Sequence, residues 1–274
     1  LCFHTRRKII MKIGFIGCGN MATAMLKGIL KSGEVEAADM IASAKSDKTR
    51  EKIEKELGIR KADNNAQVVD FADVVFLAVK PQFLEGVLDE IRGSVKAGQI
   101  FISIAPGKTL QWLGERLGEN TKVIRTMPNT PAMVGEGMTA LCVNELVTEE
   151  ETALAVKLCD TFGKTEVIPE HLMDAVVGVS GSSPAYVFMF LEAMADAAVA
   201  DGMPRAQAYK FAAQSVLGSA KLMQETGKHP GELKDMVCSP AGTTIQAVRV
   251  LEEKGFRSAV IEAQTECVKK AKGM

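Results

Sequence analysis

The run Lys12-Ile13-Gly14-Phe15-Ile16-Gly17-Cys18-Gly19-Asn20-Met21-Ala22 passes from a short apolar stretch into a glycine-rich turn. From Asn20 to Lys31 the spacing becomes helical, with Met21, Ala24, Met25, Gly28 and Ile29 on one face. Within it lies G-x-G-x-x-A, Gly17 to Ala22, where alanine is tolerated at the third position. Gly17 permits the tight turn, Gly19 lets the backbone approach a pyrophosphate, and Ala22 lets helix and strand pack closely. The free amides at the helix start attract phosphate. By itself this spacing also fits an ordinary glycine turn. Its place at the first strand–helix junction of an alternating chain favours a dinucleotide.

That alternation continues. Asp39–Ala44, Val74–Val79, Gln99–Ala105, Lys122–Thr126 and Met138–Val143 read as further strands, and Asp47 to Leu57 as a charged helix stopped by Gly58. Unbroken apolar strands separated by helical patterns predict a parallel sheet covered on both faces, an α/β doubly wound Rossmann-type domain. Four loops then fall at strand C-terminal ends and converge on one crevice: Gly17–Met21, Lys80-Pro81, Ala105–Gly107 and Met127–Pro131. At the end of the second strand, Ser43-Ala44-Lys45-Ser46 offers hydroxyls and a lysine, with Lys48 or Arg50 at hand, and no carboxylate before Asp47. An acid there would suit the ribose hydroxyls of NAD; this set suits the 2′-phosphate of NADP. A solvated loop lysine is the plainer alternative for Lys45.

From Pro169 onward only helical patterns occur, punctuated by Pro and Gly: Leu172–Val179, Pro184–Asp201, Pro204–Gly227, Gly231–Val237, Gly242–Glu253 and Ser258–Lys272. The chain is therefore divided into a dinucleotide-binding domain, 11–168, and an all-α domain, 169–274. Residues 1–10 (LCFHTRRKII) are taken as a disordered leader before a natural start at Met11. From Ala185 to Ala200, 14 of 16 residues are apolar. A helix apolar around its whole circumference must be buried on all sides, and so small a domain scarcely surrounds it alone. An interlocked homodimer supplies the cover; a helix sandwiched between the two domains is the alternative.

Composition narrows the function. The 274 residues are 47% hydrophobic and 24% charged, with net charge −1, which excludes a disordered chain and gives no basic footprint for nucleic acid or membrane. The six cysteines form no C-x-x-C pair, and three histidines give no zinc spacing, so free thiols in a reducing compartment and no metal site are expected. No uninterrupted apolar run reaches the roughly 20 residues of a membrane span. A cytoplasmic protein follows.

In the helical half, Ser239-Pro240-Ala241-Gly242-Thr243-Thr244 precedes an amphipathic helix, and Ser180-Gly181-Ser182-Ser183-Pro184 precedes the all-apolar one. Both read equally as helix caps or as anion sites for a small carboxylate. His171 and His229 sit in apparent surface turns, and Lys80 reads as a strand-edge residue more than a catalyst. Proton transfer from a strong acid is thus not expected.

These residues resemble the pyrroline-5-carboxylate reductases, from Met11 to the C-terminus. The resemblance is carried by GFIGCGNMA at 14–22, AVKPQ at 78–82, RTMPNTPAMVGEGMT at 125–139, GVSGSSPAY at 178–186 and HPGELKDMVCSPAGTTIQAVRVLEEKGFRSAVIEA at 229–263. It departs at Ala241 and Ser183, where the family commonly has glycine. The resemblance implies reduction of the C=N bond of L-1-pyrroline-5-carboxylate to L-proline with NADPH, or less well NADH. It implies a cofactor site of Ile16, Gly17, Cys18, Gly19, Asn20, Met21, Ser43, Lys45, Asn65, Ala78, Val79, Lys80 and Pro81. Ser103, Ile104, Ala105, Met127, Pro128 and Asn129 would border the nicotinamide. The substrate carboxylate would lie on the amides of Gly242, Thr243 and Thr244, near Ser182, and the Thr244 hydroxyl would reach the ring nitrogen. Dimers swapped through the helical domain, assembling further into decamers, are implied as well. Two other readings stand beside it. A β-hydroxyacid reductase would need a lysine such as Lys210, Lys221 or Lys234; a nucleotide-binding scaffold would carry a damaged substrate loop.

Overall fold

The computed structural model describes residues 11–273; the leader read at 1–10 lies outside the described residues. Ser182–Lys269 forms one compact unit, and the other described residues form a second.

The first unit holds strands β1 (Ile13–Ile16), β2 (Met40–Ser43), β3 (Arg60–Lys61), β4 (Val74–Leu77), β5 (Ile100–Ser103), β6 (Lys122–Met127), β7 (Gly137–Val143) and β8 (Gly163–Val167). Its helices are α1 (Asn20–Ser32), α2 (Asp47–Leu57), α3 (Asn65–Phe71), α4 (Pro81–Ile91), α5 (Leu110–Leu117), α6 (Glu149–Cys159) and the short α7 (Met173–Val176). The sheet order is β3-β2-β1-β4-β5-β6-β7-β8. Side chains alternate across it as a two-residue period requires. Phe15, Val74, Phe76, Ile100, Ile102 and Ile124 face α1, α2 and α6. Ile16, Val75, Leu77, Phe101 and Val123 face α3, α4 and α5. Two apolar layers therefore cover one sheet, the doubly wound arrangement read from the sequence. The Phe15 and Phe76 rings stack at 4.5 Å in the first layer.

One strand departs from the expected parallel pattern. β7 runs antiparallel to β6, with Arg125 opposite Cys142. The connection from Met127 to Gly137 contains only a 3₁₀ turn, Thr130–Val134, and a parallel return needs a crossover of a dozen or more residues. β8 returns parallel to β7 by way of α6. The sequence did not announce β8: its GKTEV pattern is largely exposed and lacks an apolar run.

The structural division after Gly181 also lies beyond the change of pattern at 168/169. The intervening segment is fastened to the sheet. Glu170 accepts from the Leu110 amide at 2.7 Å and from Arg125 at 3.1 Å. Met173 is buried with Ala140 and Cys142. Asn129 Nδ2 donates to the Ser180 carbonyl at 3.1 Å.

The second unit contains α8 (Ser183–Ala200), α9 (Arg205–Thr226), α10 (Pro230–Val237), α11 (Thr243–Glu253) and α12, which begins at Phe256 and ends at Ala271. The residues buried on α8 and α9 are Ala195, Ala208 and Ala212, small enough for the two helices to approach closely. Large apolar side chains of both helices are exposed: Phe188 is 64% and Met189 70% exposed, and Phe211 of α9 is 68% exposed. The continuous helical run Glu170–Ala200 is long and apolar enough, by length and composition, to cross a membrane. The sequence reading expected no such run. It read two separate helices, Leu172–Val179 and Pro184–Asp201, whereas the chain stays helical through a π-helical turn at Val177–Gly181.

Candidate functional site

The strand order reverses at β1, which pairs with both β2 and β4. Ligands bind at such a switch point, beyond the strand C-termini. Gly17 sits there with φ +96°, and a Cβ on it would lie 2.6 Å from the Ala78 carbonyl oxygen. Only glycine fits that close approach of β1 to β4. Gly19 differs: its φ is −74°, and a Cβ would meet no protein atom within 4 Å. The space above it is open, and Gly19 caps α1 with no side chain taking up the first amides and no acid in the first turn. An uncapped glycine cradle at the positive end of a 13-residue helix fits the pyrophosphate of a dinucleotide.

Beside this turn lies a cavity of about 410 Å³ lined by Gly17, Ser43, Lys45, Arg50, Asn65, Val79, Phe83 and Glu90, among others. The Lys45 ammonium stands 5.5 Å from the Phe83 ring centroid. Arg50 Nε donates to the Ala44 carbonyl at 2.7 Å, which fixes its guanidinium against the loop. Two cations on this wall fit a 2′-phosphate. Lys48 does not join them; with Cys18, Gly19 and Asn20 it lines a separate cavity of about 430 Å³. A cavity of about 470 Å³ near Asn144 carries Glu115, Glu119, Glu145 and Glu170 and would repel an anion.

The expected cofactor residues divide by exposure. Lys80 is exposed and caps α4, and Pro81 opens that helix. Ile16 and Ser103 are buried, and the Ser103 hydroxyl accepts from the Ala105 amide at 3.3 Å. Their side chains are enclosed in the core. Cys18 is buried, and burial raises its thiol pKa. Asn129 is a joint more than an open donor: its Oδ1 accepts from the Met138 amide at 2.8 Å, and its amide nitrogen serves Ser180. Glu90 escaped the sequence reading. Its only signal was a position near the end of α4, two turns past Phe83 on the same cavity wall.

In the second unit, α11 starts at Thr243 with Gly242 as its cap, no capping side chain and no acid in its first turn. The Gly242 amide donates to the Ser239 carbonyl at 3.1 Å. The anion site expected at Gly242, Thr243 and Thr244 is therefore narrowed to the two threonines, because the turn itself uses the Gly242 proton. Ala241 has φ +58°, alone among the described non-glycine residues in lying at positive φ. The departure from the family pattern falls on a backbone that favours glycine. Ser182 takes the N-cap position of α8 with no side-chain capping bond; its hydroxyl accepts from Cys267 at 3.1 Å. His229 Nδ1 accepts from the Gly231 amide, a capping role at α10. Lys210 and Lys221 are exposed, and Lys234 is paired with Asp235.

The chain is 56% identical to the pyrroline-5-carboxylate reductase of Escherichia coli over 95% of its length and 97% of that protein's. It belongs to the pyrroline-5-carboxylate reductase family. The Arabidopsis thaliana reductase is 39% identical over 95% of this chain and 94% of its own. Residues 170–274 match the family described as pyrroline-5-carboxylate reductase dimerisation. Residues 12–107 match the family described as NADP oxidoreductase, coenzyme F420-dependent. Among solved structures, the reductase of Coxiella burnetii superposes with a TM-score of 0.90 at 33% identity, covering 96% of this chain and 98% of that one. The Plasmodium falciparum reductase, crystallised with NADP bound, gives 0.86 at 28% identity, covering 97% and 98%. Both the Gly17-Cys18-Gly19 turn and the Gly242-Thr243-Thr244 helix start are present in this member of the family.

Proposed function

We propose that this chain reduces the C=N bond of L-1-pyrroline-5-carboxylate to L-proline, with NADPH as donor and NADH as a second donor. Whole-length identity of 56% to a pyrroline-5-carboxylate reductase carries this reading. When bound, NADPH supplies the hydride for the imine carbon. The amides from Gly19 to Met21 hold the pyrophosphate, and Lys45 and Arg50 hold the 2′-phosphate. The backbone edges of Ala78–Pro81, Ser103–Ala105 and Met127–Asn129 border the nicotinamide. The amides of Thr243 and Thr244 hold the substrate carboxylate, and the Thr244 hydroxyl orients the ring nitrogen. A protonated cyclic imine is already an electrophile, so orientation matters more than an acid catalyst.

The chain is a homo-oligomer through its helical unit. A second copy covers the apolar circumference of α8, and dimers assemble further into decamers. Cytoplasmic placement and the absence of a membrane or nucleic-acid partner belong to the same reading. The test is loss of NADPH absorbance with freshly prepared pyrroline-5-carboxylate, with NADH in parallel. Proline formed one-to-one with NADPH consumed is the expected result; tight NADPH binding without turnover would reject the activity and keep the fold.

A further inference from the structure

The loop after β2 carries no acid to discriminate between the two nicotinamide cofactors, yet a carboxylate lines the same cavity from α4. Asn65 Nδ2 donates to Glu90 Oε2 at 2.7 Å, and the Asn65 backbone amide donates to Oε1 at 3.4 Å. A carboxylate only accepts, so it fixes which end of the Asn65 amide faces it. The amide oxygen is turned to Ser43, whose hydroxyl donates to it at 2.6 Å. That donation uses the one proton Ser43 has. Toward the cavity the hydroxyl offers lone pairs alone, which accept from a ribose hydroxyl and oppose a phosphate oxygen. The charge of Glu90 acts in the same direction, and the cavity's other carboxylate, Asp63, adds to it. Lys45 and Arg50 act in the opposite direction, Arg50 being 3.5 Å from the exposed Asp47.

We propose that Glu90, acting through Asn65 and Ser43, sets the cofactor preference of this chain by holding back the advantage of NADP(H) and keeping NAD(H) usable. The inference rests on the reading that this cavity receives the adenosine ribose. It makes Glu90 a positioning residue, with Ser43 as the group it positions.

The test is calorimetric titration of the full chain with NADP⁺ and NAD⁺, for the wild type, Glu90→Gln and Glu90→Ala. Glu90 is exposed on α4, so both variants should keep the wild-type melting temperature. Glu90→Gln removes the charge and leaves an acceptor for Asn65; Glu90→Ala also frees the amide to turn and Ser43 to donate. The ratio of the NAD⁺ to the NADP⁺ dissociation constant should rise roughly 3- to 10-fold in Glu90→Gln, the size of one exposed charge interaction and a hydrogen bond. It should rise at least as much in Glu90→Ala. A ratio unchanged in both variants, or shifted toward NAD⁺, overturns the role of Glu90. Failure of adenosine 2′,5′-bisphosphate to compete with NADP⁺ on the wild type overturns it differently, by removing the ribose from this cavity.

Discussion

Gly17 and Gly19 stand two residues apart in one turn, yet their replacement by alanine should fail in opposite ways. At Gly17 the backbone has φ +96°, and the new Cβ would lie 2.6 Å from the Ala78 oxygen and 2.9 Å from its carbonyl carbon. Those are backbone atoms, tied to β1 because the Ala78 amide donates to the Ile16 carbonyl at 2.8 Å. They cannot rotate away. The left-handed backbone costs an alanine about 1–2 kcal/mol. Parting the strand ends adds about 1 kcal/mol for the ladder bond and more for disturbed packing. A loss of about 3–4 kcal/mol follows, a large share of the roughly 5–15 kcal/mol that holds a domain folded. At about 2–4 °C per kcal/mol for a chain of this size, the melting temperature of Gly17→Ala should fall by roughly 6–15 °C.

At Gly19 the backbone suits any residue and the Cβ meets nothing. Alanine caps a helix worse than glycine by about 0.5 kcal/mol, and restricting the unfolded chain returns about the same. The melting temperature should not move. The Cβ does, however, occupy the cradle where the phosphates approach. Losing one charge-assisted hydrogen bond, about 1.5–3 kcal/mol, weakens NADPH binding by roughly 10- to 150-fold. Thermal unfolding and a fluorescence titration with NADPH read the pair. Wild-type affinity in Gly19→Ala would refute the placement of the pyrophosphate; an unshifted melting temperature in Gly17→Ala would refute the steric argument.

Three further outcomes follow from named residues. Thr244→Ala should lower turnover by roughly 5- to 150-fold, the worth of one hydrogen bond of about 1–3 kcal/mol, while NADPH affinity stays unchanged; full activity would remove the Thr244 hydroxyl from the reaction. Ala241→Gly relieves a left-handed alanine but loosens the unfolded chain, so stability should rise by only about 0.5 kcal/mol, whereas Ala241→Val should lose about 1–2 kcal/mol; equal denaturation midpoints for the two would contradict the positive φ. Burial pushes the Cys142 and Cys159 thiols up to about 12 from an ordinary 9. Both should stay unlabelled by a thiol reagent at pH 8 in the folded chain. The unfolded thiols ionise first, so the stability these groups contribute is complete below pH 9 and lost between pH 9 and 12. A stability flat across that range would count against their burial.

Much of the site was legible because the residues that shape it act locally. The spacing of Gly17, Gly19 and Ala22 announces the glycine turn between β1 and α1, since each requirement is set by backbone geometry within one strand–helix junction. Ser43 and Lys45 were legible for the same reason, being at a strand end. The end of α2 at Gly58 followed from one residue, which takes φ +66° and donates its amide to the Glu54 carbonyl. Even the uncovered α8 was written in composition, because an all-apolar helix states that something must cover it.

Other features arise from contacts across long separations. Glu90 is 25 residues from Asn65 in sequence and meets it only because α4 and α3 pack on one face of the sheet. Ser103 ends β5, the strand that the topology aims at the crevice, yet its side chain is buried, since alternate strand positions face opposite layers. The short connection after β6 decided that β7 runs antiparallel. Glu170 anchors the segment beyond Pro169 to Arg125 across 45 residues, and so moves the structural boundary to Gly181. By itself, then, the sequence determined the alternation of elements, the glycine turn and the helix starts, because periodicity, caps and φ preferences are properties of neighbouring residues. Only the tertiary structure decided strand direction, which hydroxyls and amides are already engaged, and which acid lines the cavity beside the glycine turn, because those depend on groups that chain distance keeps apart and packing brings together.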